Sequence, residues 1–96
     1  MHNYAGSRSF RLAEGIQLRR EKFGLLFYNY RGPRIYFVPS GNLIGDNFFD
    51  GRKTIEQLVA DIRREHDLPG KELRLRLESL VRLLEYKGLI NGQPLC

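Results

Sequence analysis

The sequence has few of the residues from which catalytic and metal sites are usually built. Its 96 residues include one cysteine, Cys96, and two histidines, His2 and His66, which lie far apart. A single cysteine excludes an internal disulfide and is typical of a reducing, cytoplasmic compartment. No metal-ligand spacing, glycine-rich phosphate loop or nucleophile motif is present. The sequence therefore predicts a protein that is not an enzyme, binds no metal and needs no cofactor of its own.

Long hydrophobic runs are missing as well. No stretch approaches the roughly 18–20 apolar residues that a membrane helix needs, and the opening "MHNYAGSRSF" lacks the apolar centre of a secretion signal. With 42% hydrophobic and 28% charged residues, the composition is typical of a globular domain. We expect a single cytoplasmic domain over residues 1–96, not attached to a membrane, with residues 1–9 as a flexible N-terminus.

The positive charge is unevenly distributed. Residues 1–40 contain seven Lys/Arg and two Glu, whereas residues 41–96 contain nine residues of each sign. The whole net charge of +5 therefore belongs to the first part of the chain. A basic surface attracts acidic partners such as nucleic acid, anionic lipid or an acidic peptide, although solubility alone is an equally good reason for a charge of this size.

The spacing of apolar residues predicts strands first and helices afterwards. Alternation over "GIQLRRE", "KFGLLFYNY" and "RIYFVP" predicts three strands, with a turn at Gly32–Pro33 and an end at Pro39. Beyond Pro39 the spacing becomes helical. The predicted class is α+β, with a three-stranded antiparallel sheet over residues 10–38, three helices over residues 41–90 in a winged-helix-like bundle, and a tail over residues 91–96.

The three predicted helices differ in character. "SGNLIGDNFFDG" is interpreted as a short helix or helical turn, "DGRKTIEQLVADIRREHDLPG" as a full helix, and "KELRLRLESLVRLLEYKGLI" as the longest helix, with Gly88 as its C-cap. The longest helix has a core stripe and a second, weaker stripe that contains Leu75, Ser79 and Tyr86. Either two neighbours within the fold cover these stripes, or part of the helix lines a groove.

Two kinds of binding fit this order of elements. The first is a winged-helix DNA-binding domain, but only "NGQPLC" follows Ile90, the last helix is rich in leucine, and the basic excess lies elsewhere. We therefore expect no nucleic-acid partner. The second is peptide binding by strand addition to the open edge of "RIYFV", with Tyr36 and Phe37 as aromatic pockets and Arg34 as a charge for an acidic peptide. In the alternative, the aromatic face is covered by the protein's own helices or by a second copy of the chain.

The stretch "IQLRREKFGLLFYNYRGPRIYFV" also carries a family resemblance. It resembles the PqqD-like peptide chaperones, or RiPP recognition elements, and within them the chaperone of mycofactocin biosynthesis. The pattern consists of two aliphatic residues, an Arg-x-Glu-x-Phe-Gly cluster, a tyrosine, and an arginine before the third strand. The matching residues are Ile16, Leu18, Arg19, Glu21, Phe23, Gly24, Tyr28 and Arg34.

The resemblance implies a function. Such chaperones bind the leader of a ribosomally made precursor peptide as an added strand, in a groove closed by the third helix, and present it to a radical SAM enzyme that carries iron–sulfur clusters. We expect this chain to be a monomer or a strand-paired homodimer. The predicted peptide-binding residues lie on the third strand and the last helix: Arg34, Ile35, Tyr36, Phe37, Val38, Arg76, Leu80 and Leu83.

Overall fold

Two antiparallel sheets and two α-helices make up the fold. The computed structural model describes residues 8–94. In chain order the elements are β1 (Arg8–Leu12), β2 (Ile16–Glu21), β3 (Gly24–Asn29), β4 (Ile35–Val38), a 3₁₀ turn (Asp46–Phe49), β5 (Asp50–Thr54), α1 (Ile55–Glu65), α2 (Gly70–Tyr86) and β6 (Ile90–Pro94). The predicted three-helix, winged-helix-like bundle behind a single sheet is therefore wrong, although the chain does mix helices and strands.

The first sheet consists of the strands that the alternation predicts, in the order β2-β3-β4. Leu18 pairs with Phe27, which in turn pairs with Tyr36, so the three strands form two consecutive hairpins. Gly24 begins β3 at a point where β4 passes very close, because a Cβ added there would lie 1.9 Å from the Val38 carbonyl oxygen. Glycine at this position therefore permits β4 to join the sheet.

The second sheet, ordered β5-β1-β6, has no counterpart in the prediction. Arg8 and Ser9, predicted to be flexible, lie in β1, and β1 pairs with β6, where a tail was predicted. The segment predicted to hold the first helix forms one 3₁₀ turn and then β5. These errors share one cause, because "DGRKT" and "INGQP" have little strand propensity of their own and become strands only by pairing with β1. The rest of the predicted N-terminus and Cys96 lie outside the described residues.

The two α-helices end as the sequence indicates. Thr54 and Gln57 form a capping box at the start of α1, in which the Thr54 hydroxyl accepts from the Gln57 N–H and the Gln57 amide oxygen accepts from the Thr54 N–H. After α2, Gly88 adopts a φ of 76°, and Leu89 and Gly88 donate to the carbonyls of Leu84 and Glu85. This is a Schellman motif, so Gly88 terminates the helix as predicted.

The core lies between the helices and one face of each sheet. Phe27 of β3 is fully buried and meets Phe49 edge-on, with ring centres 5.2 Å apart, and Phe49 meets Phe48 in the same way. From α2 the core includes Leu73, Leu77, Val81 and Leu84. No helix within residues 8–94 has the length and apolar character needed to cross a membrane.

Candidate peptide-binding groove

On both outer strands of the second sheet, side chains accept hydrogen bonds from main-chain N–H groups. On β6 the Gly92 N–H donates to Glu85 Oε2 at 3.1 Å, and Arg8 holds the same carboxylate oxygen at 2.6 Å. On β5 the N–H groups of Arg52 and Thr54 donate to side-chain oxygens. Such caps remove the donors that an additional strand would need. These two edges are therefore poor sites for strand addition.

The two outer strands of the first sheet differ from each other. On β2 the Ile16 N–H donates to the Ala13 carbonyl, and the strand ends in the charged run Arg19, Arg20 and Glu21, which discourages pairing. In contrast, β4 is the apolar sequence "IYFV", without charge or proline. Ile35 is 69% exposed and Phe37 is 39% exposed. Among the outer strands in the described chain, β4 is the apolar one.

The hydrogen-bond pattern shows which main-chain groups of β4 point outward. The Asn29 N–H donates to the Arg34 carbonyl at 3.0 Å, which makes Asn29 and Arg34 a hydrogen-bonded pair at the hairpin turn. Hydrogen-bonded and non-hydrogen-bonded pairs alternate along an antiparallel ladder. Tyr36 therefore bonds inward to β3, whereas Ile35 and Phe37 direct their N–H and C=O groups to the free edge.

A cavity opens between the start of β4 and the end of α2. Its volume is about 220 Å³, and its lining residues come from both elements: Pro33, Arg34, Ile35, Tyr36, Lys87 and Leu89. Arg34 donates to the Lys87 carbonyl at 2.6 Å, and Lys87 Nζ lies 4.8 Å from the centre of the Tyr36 ring. These two contacts hold the end of α2 against β4.

A second cavity, also of about 220 Å³, opens at the other end of β4. Val38 and Pro39 line it from the strand side, and Arg76, Leu77 and Leu80 line it from α2. It shares Arg76 with a further cavity of about 210 Å³ near the α1–α2 connection. Within residues 8–94, Arg76 pairs with Glu72 at 3.3 Å in an exposed ion pair, so its guanidinium is accessible at the cavity mouth.

Most of the predicted residues line one of these two separate cavities at the two ends of β4, and we call the two cavities together the groove. Arg34, Ile35 and Tyr36 line its upper cavity, and Val38, Arg76 and Leu80 line its lower one. Leu83 lines neither cavity. It is 38% exposed, and helical spacing places it between Leu80 and Lys87 on the same face of α2. Phe37 also lines neither cavity. Strand alternation directs the side chains of Phe37 and Ile35 to the opposite face of the sheet from Tyr36, and Ile35 borders the upper cavity at the edge of the strand.

Three residues of the upper cavity, Pro33, Lys87 and Leu89, were missed by the sequence prediction. Lys87 and Leu89 follow the end of α2, and their position beside β4 depends on the contact with Arg34, 53 residues away. Arg34, expected from the sequence as a charge for an acidic peptide, also makes a structural contact with the Lys87 carbonyl. Extending the face of Leu83 by four residues would have indicated Lys87. No comparable signal indicates Leu89.

The residues that carry the family resemblance lie in the first sheet or in its turns. Arg19 and Glu21 make an ion pair on β2, and the Tyr28 hydroxyl donates to Gln17 Oε1 at 3.1 Å. Gly24 allows β4 to approach, as described above. No family model, curated protein or solved structure matches this chain. Its function therefore has to be inferred from its own residues and geometry.

Proposed function

We propose that this protein binds an extended peptide by strand addition to the free edge of β4. The observation that carries the proposal is the pair of outward-facing residues Ile35 and Phe37, which offer two N–H donors and two C=O acceptors beside a lined groove. A peptide that forms these bonds would continue the β2-β3-β4 sheet. Its alternate side chains would then enter the cavities between β4 and α2.

The character of the groove specifies the peptide further. The lower cavity is mainly lined by aliphatic side chains, such as Leu77 and Leu80, and suits an apolar anchor. Arg34, Arg76 and Lys87 stand along the same groove and favour acidic residues in the peptide. The preferred ligand is therefore an acidic segment with at least one large aliphatic or aromatic residue.

The resemblance to the PqqD-like chaperones supports a particular role for this binding. In that role the peptide is the leader of a ribosomally made precursor, and the partner is a radical SAM enzyme that modifies the precursor. The chain would hold the leader and present it, without catalysing a step itself. The enzyme would supply the iron–sulfur clusters.

Amide hydrogen exchange tests the proposal directly. In the free protein the N–H groups of Ile35 and Phe37 should exchange rapidly, whereas that of Tyr36 should be protected by its bond to β3. Addition of the leader segment of a precursor peptide, selected by searching the genes around this one, should protect Ile35 and Phe37 and leave Tyr36 unchanged. Rapid exchange at both residues under saturating peptide would exclude strand addition at β4.

The groove variants provide a second test by calorimetric titration. Leu83→Ala and Arg76→Ala should each weaken binding of the same leader segment by about 1–3 kcal/mol, or roughly five- to a hundredfold. Tyr86→Ala is the matched control, because Tyr86 lies on α2 but is 89% exposed and lines neither cavity. Equal affinity for all three variants would place the binding site elsewhere.

DNA binding has less support as an alternative. The residues of α2, which would be the recognition helix, include four Lys/Arg and three Glu, so the helix is almost neutral. The leucine-rich face of α2 also offers few groups that could contact base edges. We therefore expect only weak binding to duplex DNA that does not depend on sequence and falls steeply with salt.

A further inference from the structure

The first sheet exposes an apolar surface on the side away from the helices. Its centre consists of two cross-strand pairs, Leu26 with Phe37 and Tyr28 with Ile35, and we call these four residues the outer face. Leu26 and Tyr28 are half-buried, yet neither packs against the hydrophobic core. An antiparallel sheet normally presents polar residues on its solvent side. The outer face has the character of an interaction surface.

Basic residues lie at both turns beside the outer face. On β2, Arg19 is already paired with Glu21, and Arg34 lies on the other face, where it donates to the Lys87 carbonyl. At the β2–β3 turn Lys22 lies over the exposed Phe23, and at the β3–β4 turn Arg31 lies over the exposed Tyr30, with cation-to-ring distances of 5.4 and 5.6 Å. A complementary partner therefore needs an apolar centre and an acidic rim.

We propose that the outer face is the docking surface for the enzyme that modifies the peptide, through an apolar, acid-rimmed patch on that enzyme. This inference rests on the proposed function, because it takes the peptide to be bound at the adjoining edge. Ile35 and Phe37 belong to both sites: their main chains face the edge, and their side chains belong to the outer face. The two sites are therefore continuous.

That continuity has a thermodynamic consequence. A peptide added beside β4 would extend the sheet, and every second peptide side chain would point to the same side as Ile35 and Phe37. An enzyme on the outer face would contact the chain and the bound peptide together. Each ligand should then raise the affinity for the other by the same factor, as linkage requires. A membrane or a second copy would recognise the apolar surface without this selective coupling.

The test uses two matched double variants. Leu26→Thr with Tyr28→Thr changes the outer face on β3, away from the peptide edge, and keeps residues that favour strands. Leu75→Thr with Tyr86→Thr makes the same chemical changes at two exposed positions on α2. Circular dichroism and thermal melting check that both remain folded. Calorimetry then measures their affinity for the leader segment and, separately, for a purified radical SAM enzyme selected by the same search of the surrounding genes.

The outer-face variant should bind the leader segment within twofold of the parent and bind the enzyme at least tenfold more weakly. In the parent, saturating leader should tighten enzyme binding at least fivefold. The α2 variant should behave as the parent in its enzyme binding. Failure of leader binding in the parent would contradict the proposed function instead, since enzyme docking is measured without peptide.

Several results would overturn the inference. The parent could fail to bind the enzyme, or both double variants could bind it equally well. The α2 variant alone could lose enzyme binding, which would place the docking surface on α2. Analytical ultracentrifugation could show that the outer-face change dissolves a dimer while enzyme binding is retained, which would identify a second copy as the occupant. Binding to anionic phosphatidylserine vesicles that is lost with the outer-face change, while enzyme binding is retained, would identify a membrane.

Discussion

Proline substitutions along β4 test separately the N–H groups that face the free edge and the N–H group that bonds to β3. Ile35→Pro and Phe37→Pro each delete an N–H that faces the free edge, so the hairpin keeps its ladder bonds. Tyr36→Pro deletes an N–H that bonds to the Phe27 carbonyl within the sheet. The first two variants should fold and fail to bind peptide, whereas the third should lose stability.

The magnitudes follow from the number of hydrogen bonds affected. A typical hydrogen bond contributes about 0.5–1.5 kcal/mol net, and a proline ring at the edge removes one donor and obstructs a neighbouring bond. The loss of two bonds, about 2 kcal/mol, corresponds to roughly a thirtyfold loss of affinity. Within the sheet, Tyr36→Pro leaves the Phe27 carbonyl without its donor. A cost of about 2 kcal/mol should lower the melting temperature by roughly 8–16 °C.

Alanine at the same three positions provides the controls, because it removes each side chain and keeps each N–H. Calorimetric titration with the leader segment and thermal melting by circular dichroism give both quantities for all six variants. The proline effect is the difference between each proline variant and its alanine control. Equal peptide affinity for proline and alanine at both Ile35 and Phe37 would refute main-chain recognition at this edge.

Three further predictions concern stability, each measured as a shift in urea unfolding. Phe27→Ala removes a fully buried ring from its contact with Phe49 and should cost about 3–5 kcal/mol; a cost below 1 kcal/mol would contradict this packing. Thr54→Ala breaks the α1 capping box and should cost about 1 kcal/mol, and no change would show that the cap contributes nothing. The hydrogen bond from Lys53 lowers the pKa of Asp61, so its stabilisation is present near neutral pH and is lost as pH falls below about 4. Asp61→Asn should therefore reduce the difference in stability between pH 5 and pH 2.5, and an undiminished difference would contradict the assignment.

The local spacing of apolar residues predicted the first sheet but not the second. The strands β2, β3 and β4 alternate clearly and are joined by short turns, so each finds its partner nearby in the sequence. In contrast, β1 pairs with β6, and Arg8 lies opposite Pro94 at the far end of the chain. No pattern within "INGQP" indicates a strand, because its glycine and asparagine are unfavourable there. Its conformation is imposed by a long-range partner.

The groove was predictable to a similar extent. Residues on β4 and on one face of α2 were identified because each set follows the period of its own element. How the two sets meet depends on the side-chain contacts of Arg34 and Lys87, which sequence spacing does not specify. Alternation along "RIYFVP" already places the Phe37 and Tyr36 side chains on opposite faces of the strand.

The unpredicted second sheet helps to fix the geometry of the groove. The Schellman turn leads directly from α2 into β6, and β6 is paired along its length with β1. Glu85, in the last turn of α2, is held by Arg8 of β1 and by the Gly92 N–H of β6. The end of α2 is therefore attached to the second sheet on one side and to β4, through Arg34, on the other. If a peptide binds at β4 as proposed, a wall fixed in this way before the ligand arrives would lower the ordering cost of binding, and the second sheet would contribute to peptide affinity without touching the peptide.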